Sequence, residues 1–139
     1  KIKEDFLVKL EEIKNITDFI ENRAPRTLKE NEERLRERVS EYLDSSEIDE
    51  DRILTEIAIM LDKLSIDEEI TRLKIHIDNF NDIIKSEGAI GRKLDFLIQE
   101  MNRESNTIGS KSNDIEITSK VVLLKSEIEK LREQAQNVE

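Results

Sequence analysis

Apolar residues recur along most of the chain at alternating intervals of three and four residues. This spacing places side chains on one face of an α-helix, and the breaks in it predict about six helices. A β-sandwich or an α/β domain would need more turn residues and more β-branched runs separated by glycine. The predicted fold class is therefore all-α, with an elongated αα-hairpin arm followed by a helical bundle.

Residues 1–48 are predicted to form the hairpin arm. The first helix carries apolar residues from Phe6 to Ile20. It should end near Asn22, because Pro25 disfavours helical geometry in the residue before it. Pro25 can itself open a second helix, whose apolar positions are sparse and surrounded by charge. Such an arm would be mostly exposed to solvent and could pack against another chain.

Residues 49–139 are predicted to form a domain of four further helices. The fifth helix of the chain should end near Glu104, because SNTIGSKSND breaks the apolar pattern. In that connector Gly109 would supply a positive φ. The last helix carries an unbroken heptad seam, a pattern typical of helix pairs that also favours oligomerisation. The seam consists of Ile117, Val121, Leu124, Ile128, Leu131, Ala135 and Val138.

Charge narrows the classes of function. The 139 residues carry a formal net charge of −10, with 40% charged and 36% hydrophobic residues. This balance argues against broad electrostatic adhesion to nucleic acid or to an anionic membrane. Any phosphate ligand must therefore be held by a local basic patch or by a metal ion.

Targeting signals and cysteines are both missing from the sequence. No apolar run approaches the roughly 18 residues of a membrane span, and no signal peptide is visible. The absence of cysteine excludes disulfides and thiolate metal sites. We therefore expect a soluble, cytoplasmic protein that does not enter a membrane. The sequence begins inside an amphipathic pattern without a start methionine, so we expect it to be part of a longer protein.

Three polar residues share one edge of the buried face of the helix that begins near residue 66. Glu69, Arg72 and His76 follow one another at spacings of three and four residues, so they lie on neighbouring rows of that helix. A carboxylate, a guanidinium and an imidazole in one place could converge on a ligand. The alternative is a structural ion pair beside an interfacial histidine, which the spacing alone favours.

The next helix presents two carboxylates one turn apart. Glu100 and Glu104 stand at i and i+4 beside the core stripe, and Phe96 lies further round the helix. Carboxylates in this arrangement can share Mg²⁺ or Mn²⁺, which keep open positions for phosphate oxygens. Exposed glutamates at i and i+4 are also ordinary helix surface, which is the commoner case.

Residues 88–112 are the part of the chain where phosphate binding is most plausible. They hold four basic and three acidic residues, a net +1 in a chain whose total is −10. Backbone N–H groups before the last helix could face an anion, with Lys111 adding charge. The stretch is not a P-loop, because it lacks the G-x-x-x-x-G-K pattern and a preceding strand. A plain helix connector explains it equally well.

Several strings together resemble the C-terminal domain of the YicC family, also called YicC/YloC. They are DEDRILTEIAIMLDK, IDEEITRLKIHIDNF, GRKLDFLIQEMNRESNTIGSKSND and the terminal LREQAQNVE. The resemblance covers residues 49–139 and extends weakly to RAP at 23–25 and ERLRERV at 33–39. It implies a bacterial, metal-dependent endoribonuclease that assembles as a hexamer around RNA, with Mn²⁺ or Mg²⁺ as cofactor. The chain would be about the C-terminal half of the natural protein.

Residues that match the family carry the roles in our leading hypothesis for the site. In this hypothesis Glu100 and Glu104, with Glu69 or Glu56 from neighbouring helices, hold the metal ion, and His76, Glu69, Glu100 and Glu104 form the catalytic set. The implied RNA-binding residues are Arg72, Arg92, Arg103, Lys111, Asn102, Asn106 and Ser110.

Rival functions stay open at this stage. His76 could activate a ribose 2′-hydroxyl without a catalytic metal. The chain could also be a non-catalytic helical assembly module, or it could bind RNA without cutting it.

Overall fold

The structure is a computed structural model that describes residues 2–43, 49–86, 88 and 90–137. These residues form five helices and no strand, which confirms the all-α prediction and corrects the number of about six. None of these helices is both long enough and apolar enough to cross a membrane. The helices are α1 (Ile2–Leu43), α2 (Glu50–Leu64), α3 (Asp67–Lys85), α4 (Gly91–Lys111) and α5 (Ile115–Gln136).

The predicted hairpin arm is wrong, because α1 is one helix of 42 residues with Pro25 inside it. The buried stripe of α1 runs through the proline: Ala24, Thr27 and Asn31 are all buried. Pro25 itself is exposed. The stabilisation from packing of this stripe is larger than the cost of the backbone hydrogen bond that a proline removes from a helix interior.

Pro25→Ala should therefore stabilise the protein. Alanine restores the missing N–H and removes the clash of the ring with the preceding turn, so we expect the free energy of unfolding to rise by about 1–3 kcal/mol in urea titration. Lys29→Ala, an exposed substitution one turn along the same helix, controls for intrinsic helix propensity. A neutral or destabilising effect of Pro25→Ala would indicate that proline opens a second helix, where it is favourable.

One core joins α3, α4, α5 and the part of α1 from Phe6 to Ala24. The rings of Phe6 and Phe80 meet edge to face, with centroids 5.6 Å apart. The described members of the heptad seam, Ile117 to Ala135, are buried where α5 packs on α1 and α4, whereas Val138 lies outside the described residues. The seam is thus used within the chain. The domain division at residue 48 stays a prediction, since residues 44–48 are not among those described.

Helix α4 continues beyond its predicted end near Glu104, and the long connector is wrong. Ser105 and Ile108 are buried, so the helix keeps a packed face as far as Lys111. Gly109 is helical rather than left-handed: a Cβ there would lie 3.1 Å from Val121 Cγ1, so glycine permits close approach of α4 and α5. The positive φ of 105° belongs to Gly88 instead.

A buried carboxylate links α1 to α5. Lys9 Nζ donates to Glu127 Oε2 at 3.1 Å, and Lys130 Nζ donates to the other carboxylate oxygen at 3.2 Å. A hydrogen bond shared with Glu12, together with these two ammonium groups, lowers the pKa of Glu127 to about 2. Because the folded state lowers this pKa, the ionised carboxylate stabilises the fold above the ordinary glutamate range, and the stabilisation is lost as pH falls toward 2.

Glu127→Gln should consequently destabilise the protein in a pH-dependent way. At neutral pH we expect a loss of up to about 3 kcal/mol, shrinking as the pH approaches about 3. Urea unfolding of wild type and variant across this range measures the difference. A constant difference at all pH values would mean that the side chain contributes packing rather than charge.

Candidate functional site

Helices α3 and α4 lie side by side and run in opposite directions. Ionic contacts pair Glu69 with Lys111 and Arg72 with Glu104, so rising numbers on α3 meet falling numbers on α4. The polar edges of both helices therefore face each other across one seam. His76 continues this order one turn beyond Arg72 and meets the carboxylates of α4.

His76, Glu100 and Glu104 form the most concentrated cluster of metal-ligating groups along this seam. Each offers one ligand atom, and the three atoms all lie within 4.8 Å of one another. Glu104 is only 6% exposed, and the other two are half-buried. Helical geometry explains the convergence, since Glu100 and Glu104 stand one turn apart on the face that meets α3.

The donor set of this cluster fits a divalent cation. His76 Nδ1 is buried and has no hydrogen-bond partner within the described ranges. Buried polar atoms are nearly always satisfied, so an orphaned nitrogen on the imidazole of this cluster is consistent with a bound group. Carboxylate oxygens suit Mg²⁺ and Mn²⁺, and imidazole nitrogen extends the set toward transition metals.

Arg72 fixes the orientation of Glu104. Its Nε donates to Glu104 Oε2 at 3.1 Å, and its terminal Nη2 donates to Glu69 Oε2 at 3.2 Å. The hydrogen bond to Glu104 is the main cause that raises the pKa of Arg72. Arg72 therefore holds one oxygen of Glu104 in place, as the hydrogen-bonded partners of metal ligands commonly do.

Glu69 is the buried centre of the adjacent ion pairs. It is 3% exposed, and Lys111 Nζ donates to both of its oxygens at 3.2 Å. Lys111 also donates to the carbonyl oxygen of Ser65 at 3.2 Å. With Arg72 and Lys111 as partners, the Glu69 carboxylate anchors two cations beside the cluster but is not one of its three members.

The other candidate residues lie on different surfaces. Glu56 is exposed on α2, which packs on α1, and it is not part of the cluster. Arg92 and Arg103 are exposed on α4. Asn102 and Asn106 are exposed too, but they point about 160° and 120° away from Glu100 around the helix. Ser110 donates its hydroxyl to the carbonyl of Thr107 at 3.0 Å.

The sequence pattern predicted the polar edge of α3 and that of α4, but it did not predict which residues pair across the two edges. Arg72 as the partner of Glu104, and Lys111 as the partner of Glu69, depend on how α3 and α4 align. The available signal was opposite charge at matching distances from the turn that joins the two helices. That signal is weak in a chain with 40% charged residues.

Comparison of the sequence with known proteins assigns the chain to a family. Residues 20–139 match the family described as "Endoribonuclease YicC-like, C-terminal". A "Probable endoribonuclease YicC" from Clostridioides difficile is 51% identical over 140 aligned residues, which cover 100% of this chain and 48% of that protein. One of the same name from Haemophilus influenzae is 40% identical over 131 residues, or 94% of this chain and 45% of that protein.

The chain thus spans about half the length of the curated relatives that it matches. The match to the family covers α2 to α5 completely, including every member of the cluster and its ion pairs. The chain belongs to the YicC-like endoribonuclease family, in the part that corresponds to the C-terminal domain.

Proposed function

We propose that this chain carries the catalytic site of a metal-dependent endoribonuclease that cleaves RNA phosphodiesters. The observation that carries the proposal is the convergence of His76, Glu100 and Glu104, whose ligand atoms lie within 4.8 Å of one another. The printed names of the two relatives, each a probable endoribonuclease, support the same class of reaction.

Glu100 and Glu104 would hold Mn²⁺ or Mg²⁺ at the α3–α4 seam. When bound, such an ion would polarise a phosphate oxygen and offset the charge that develops on it. Arg72 would keep Glu104 in the orientation required, because it donates to that carboxylate at 3.1 Å. Glu56 would contribute only if another part of the protein, or another subunit, brought it to this seam.

His76 would be the group that takes or gives a proton. Its imidazole lies beside both carboxylates and is half-buried, so a substrate phosphate can still reach it. The exposed guanidinium groups of Arg92 and Arg103 would contact phosphates on either side. Lys111 and Arg72 would act chiefly through Glu69 and Glu104, since their cationic groups already contact those carboxylates.

Two chemistries are compatible with this arrangement. Hydrolysis by water leaves the 2′-hydroxyl unused. In the alternative, His76 takes the proton of the ribose 2′-hydroxyl, whose oxygen bonds to phosphorus while the P–O5′ bond breaks, so that a cyclic phosphate forms and the 5′-oxygen leaves as a protonated hydroxyl. The end group of the cut RNA separates them. A substrate with a single 2′-deoxyribose at the cut site is cut only in the first case.

We further propose that the protein acts as a ring of identical subunits, a hexamer by family resemblance, that encloses RNA. The buried heptad seam of α5 does not supply the interface. The exposed apolar residues of α2 offer a better one: Leu54, Ile59 and Met60 are each more than two-fifths exposed. This exposed apolar surface of α2 also favours the second candidate function, a non-catalytic assembly module, because such a module needs a surface that binds other subunits.

Cleavage of a 5′-end-labelled hairpin RNA tests the proposed function. The longest natural form of the protein and the 139-residue chain would each be incubated with Mn²⁺, Mg²⁺ or excess EDTA. We expect discrete internal cuts with metal and none with EDTA. Intact RNA under all metal conditions with the longest form would contradict the nuclease proposal and favour the assembly module.

A further inference from the structure

A groove continues the α3–α4 seam on the side of His76 away from Arg72. His76 and Asn79 are one turn apart on α3, and Glu100 and Phe96 are one turn apart on α4, so the groove begins within about 6 Å along each helix of the cluster. Its lining comes from both helices: Asn79, Asp82 and Ile83 from α3, and Arg92, Lys93 and Phe96 from α4.

Phe96 is unusual in this groove because the residue is 59% exposed, although the neighbouring Leu97 is buried in the core. Two cations flank the ring: Arg92 and Lys93 are exposed, and neither forms an ion pair with another residue in the described ranges. Asp82 is the single carboxylate among the lining residues. An aromatic face beside exposed cations is the combination with which proteins bind unpaired nucleotides.

We propose that Phe96 is a stacking platform for one unpaired base of the RNA, next to the phosphate that lies at the cluster. In this arrangement Arg92 and Lys93 contact the flanking phosphates, and the Asn79 amide can hydrogen-bond the base edge. The inference rests on the proposed function, because it places the base one helical turn from Glu100. It adds a substrate preference: the nucleotide beside the cut must be single-stranded.

The nucleotide explains the groove better than an apolar partner does. An apolar protein surface that covered Phe96 would also bury the charges of Arg92 and Lys93 without supplying a partner, and burying a charge without a partner is costly. RNA supplies both an apolar face and negative charge at adjacent positions. Other exposed apolar residues that could contact another subunit lie outside this groove, among them Leu54, Ile59 and Met60 on α2.

Binding without cleavage tests this inference separately from catalysis. The longest natural form would be titrated, in EDTA, into a fluorescein-labelled ten-nucleotide single-stranded RNA and into the same RNA with one abasic ribose. We expect Phe96→Ala to weaken binding of the intact RNA by about 5-fold to 100-fold, and Phe96→Trp to restore it. The abasic RNA should bind wild type more weakly, and Phe96→Ala should no longer distinguish the two RNAs.

Phe19→Ala is the matched control, because Phe19 is also a partly exposed ring beside a cation, with Lys120 Nζ 4.8 Å from its centroid, but on α1. It should bind both RNAs as wild type does. Unchanged binding by Phe96→Ala, or an equal loss for intact and abasic RNA, would overturn the inference; the equal loss is the result expected if Phe96 served assembly. Base-dependent binding without any cleavage would uphold the platform while rejecting the nuclease proposal.

Discussion

Glu100→Gln should reduce RNA cleavage by at least about 100-fold, the range expected when one central polar group of an active site is removed. The amide keeps the size of the side chain but loses the negative charge that would hold a divalent cation beside Glu104. Because Glu100 is half-buried and forms no ion pair with another residue in the described part of the chain, the fold should be unaffected. Single-turnover cleavage of end-labelled RNA by the longest natural form measures the loss.

Glu133→Gln provides the matched control, since Glu133 is exposed on α5 and lies outside the cluster. It should cleave as wild type does, and both variants should unfold in urea at the wild-type midpoint. If Glu100→Gln folded normally and still cleaved RNA at the wild-type rate, the cluster would not be the site of the reaction.

Phe80→Ala should be the most destabilising of the substitutions considered. The Phe80 side chain is 0% exposed and packs edge to face on Phe6, which is 1% exposed. Removing a fully buried phenylalanine costs about 3–5 kcal/mol, from lost burial and from the cavity that remains. Urea unfolding monitored by circular dichroism measures the change in the free energy of unfolding.

The same experiment tests whether α1 belongs to the core of the bundle. Phe96→Ala removes an equal number of atoms from an exposed site and should change the free energy of unfolding by less than about 1 kcal/mol. A comparably small effect of Phe80→Ala would mean that α1 does not share a core with α3. The substitution bears on α1 because it removes the ring that the Phe6 side chain contacts.

Features that depend on local geometry were predictable from the sequence. The helical class and the polar edges of α3 and α4 follow from spacings of three and four residues, because residues at these spacings lie on the same face of an α-helix. Glu100 and Glu104 were correctly expected to lie together on one edge, one turn apart on α4. His76 was correctly placed beside the buried face of α3.

Features that depend on packing between helices were not predictable in the same way. Pro25 signals a boundary locally, but the buried stripe from Ala24 to Asn31 keeps α1 continuous. Gly109 signals a turn locally, but it serves the contact of α4 with Val121. In both cases tertiary contacts outweigh a local preference of a few kcal/mol.

The pairing of charges across the α3–α4 seam shows the same limit. Spacing put Glu69 beside Arg72 and His76, and the structure keeps that order. Only the alignment of the two helices shows that Lys111 joins Arg72 as a partner of Glu69. It also shows that Glu104, which contacts Arg72, lies beside His76 and Glu100. The distinction between a structural carboxylate and a candidate metal ligand therefore comes from tertiary structure.

Crystals of the longest natural form soaked in Mn²⁺ give the most direct test of the central proposal. An anomalous difference map recorded near the manganese absorption edge shows where the ion binds without reference to activity. We expect a peak in contact with the carboxylates of Glu100 and Glu104 and beside His76, absent from Glu100→Gln crystals. A protein that cleaves RNA with Mn²⁺ but shows its manganese peak elsewhere would contradict the assignment of the site to the α3–α4 seam.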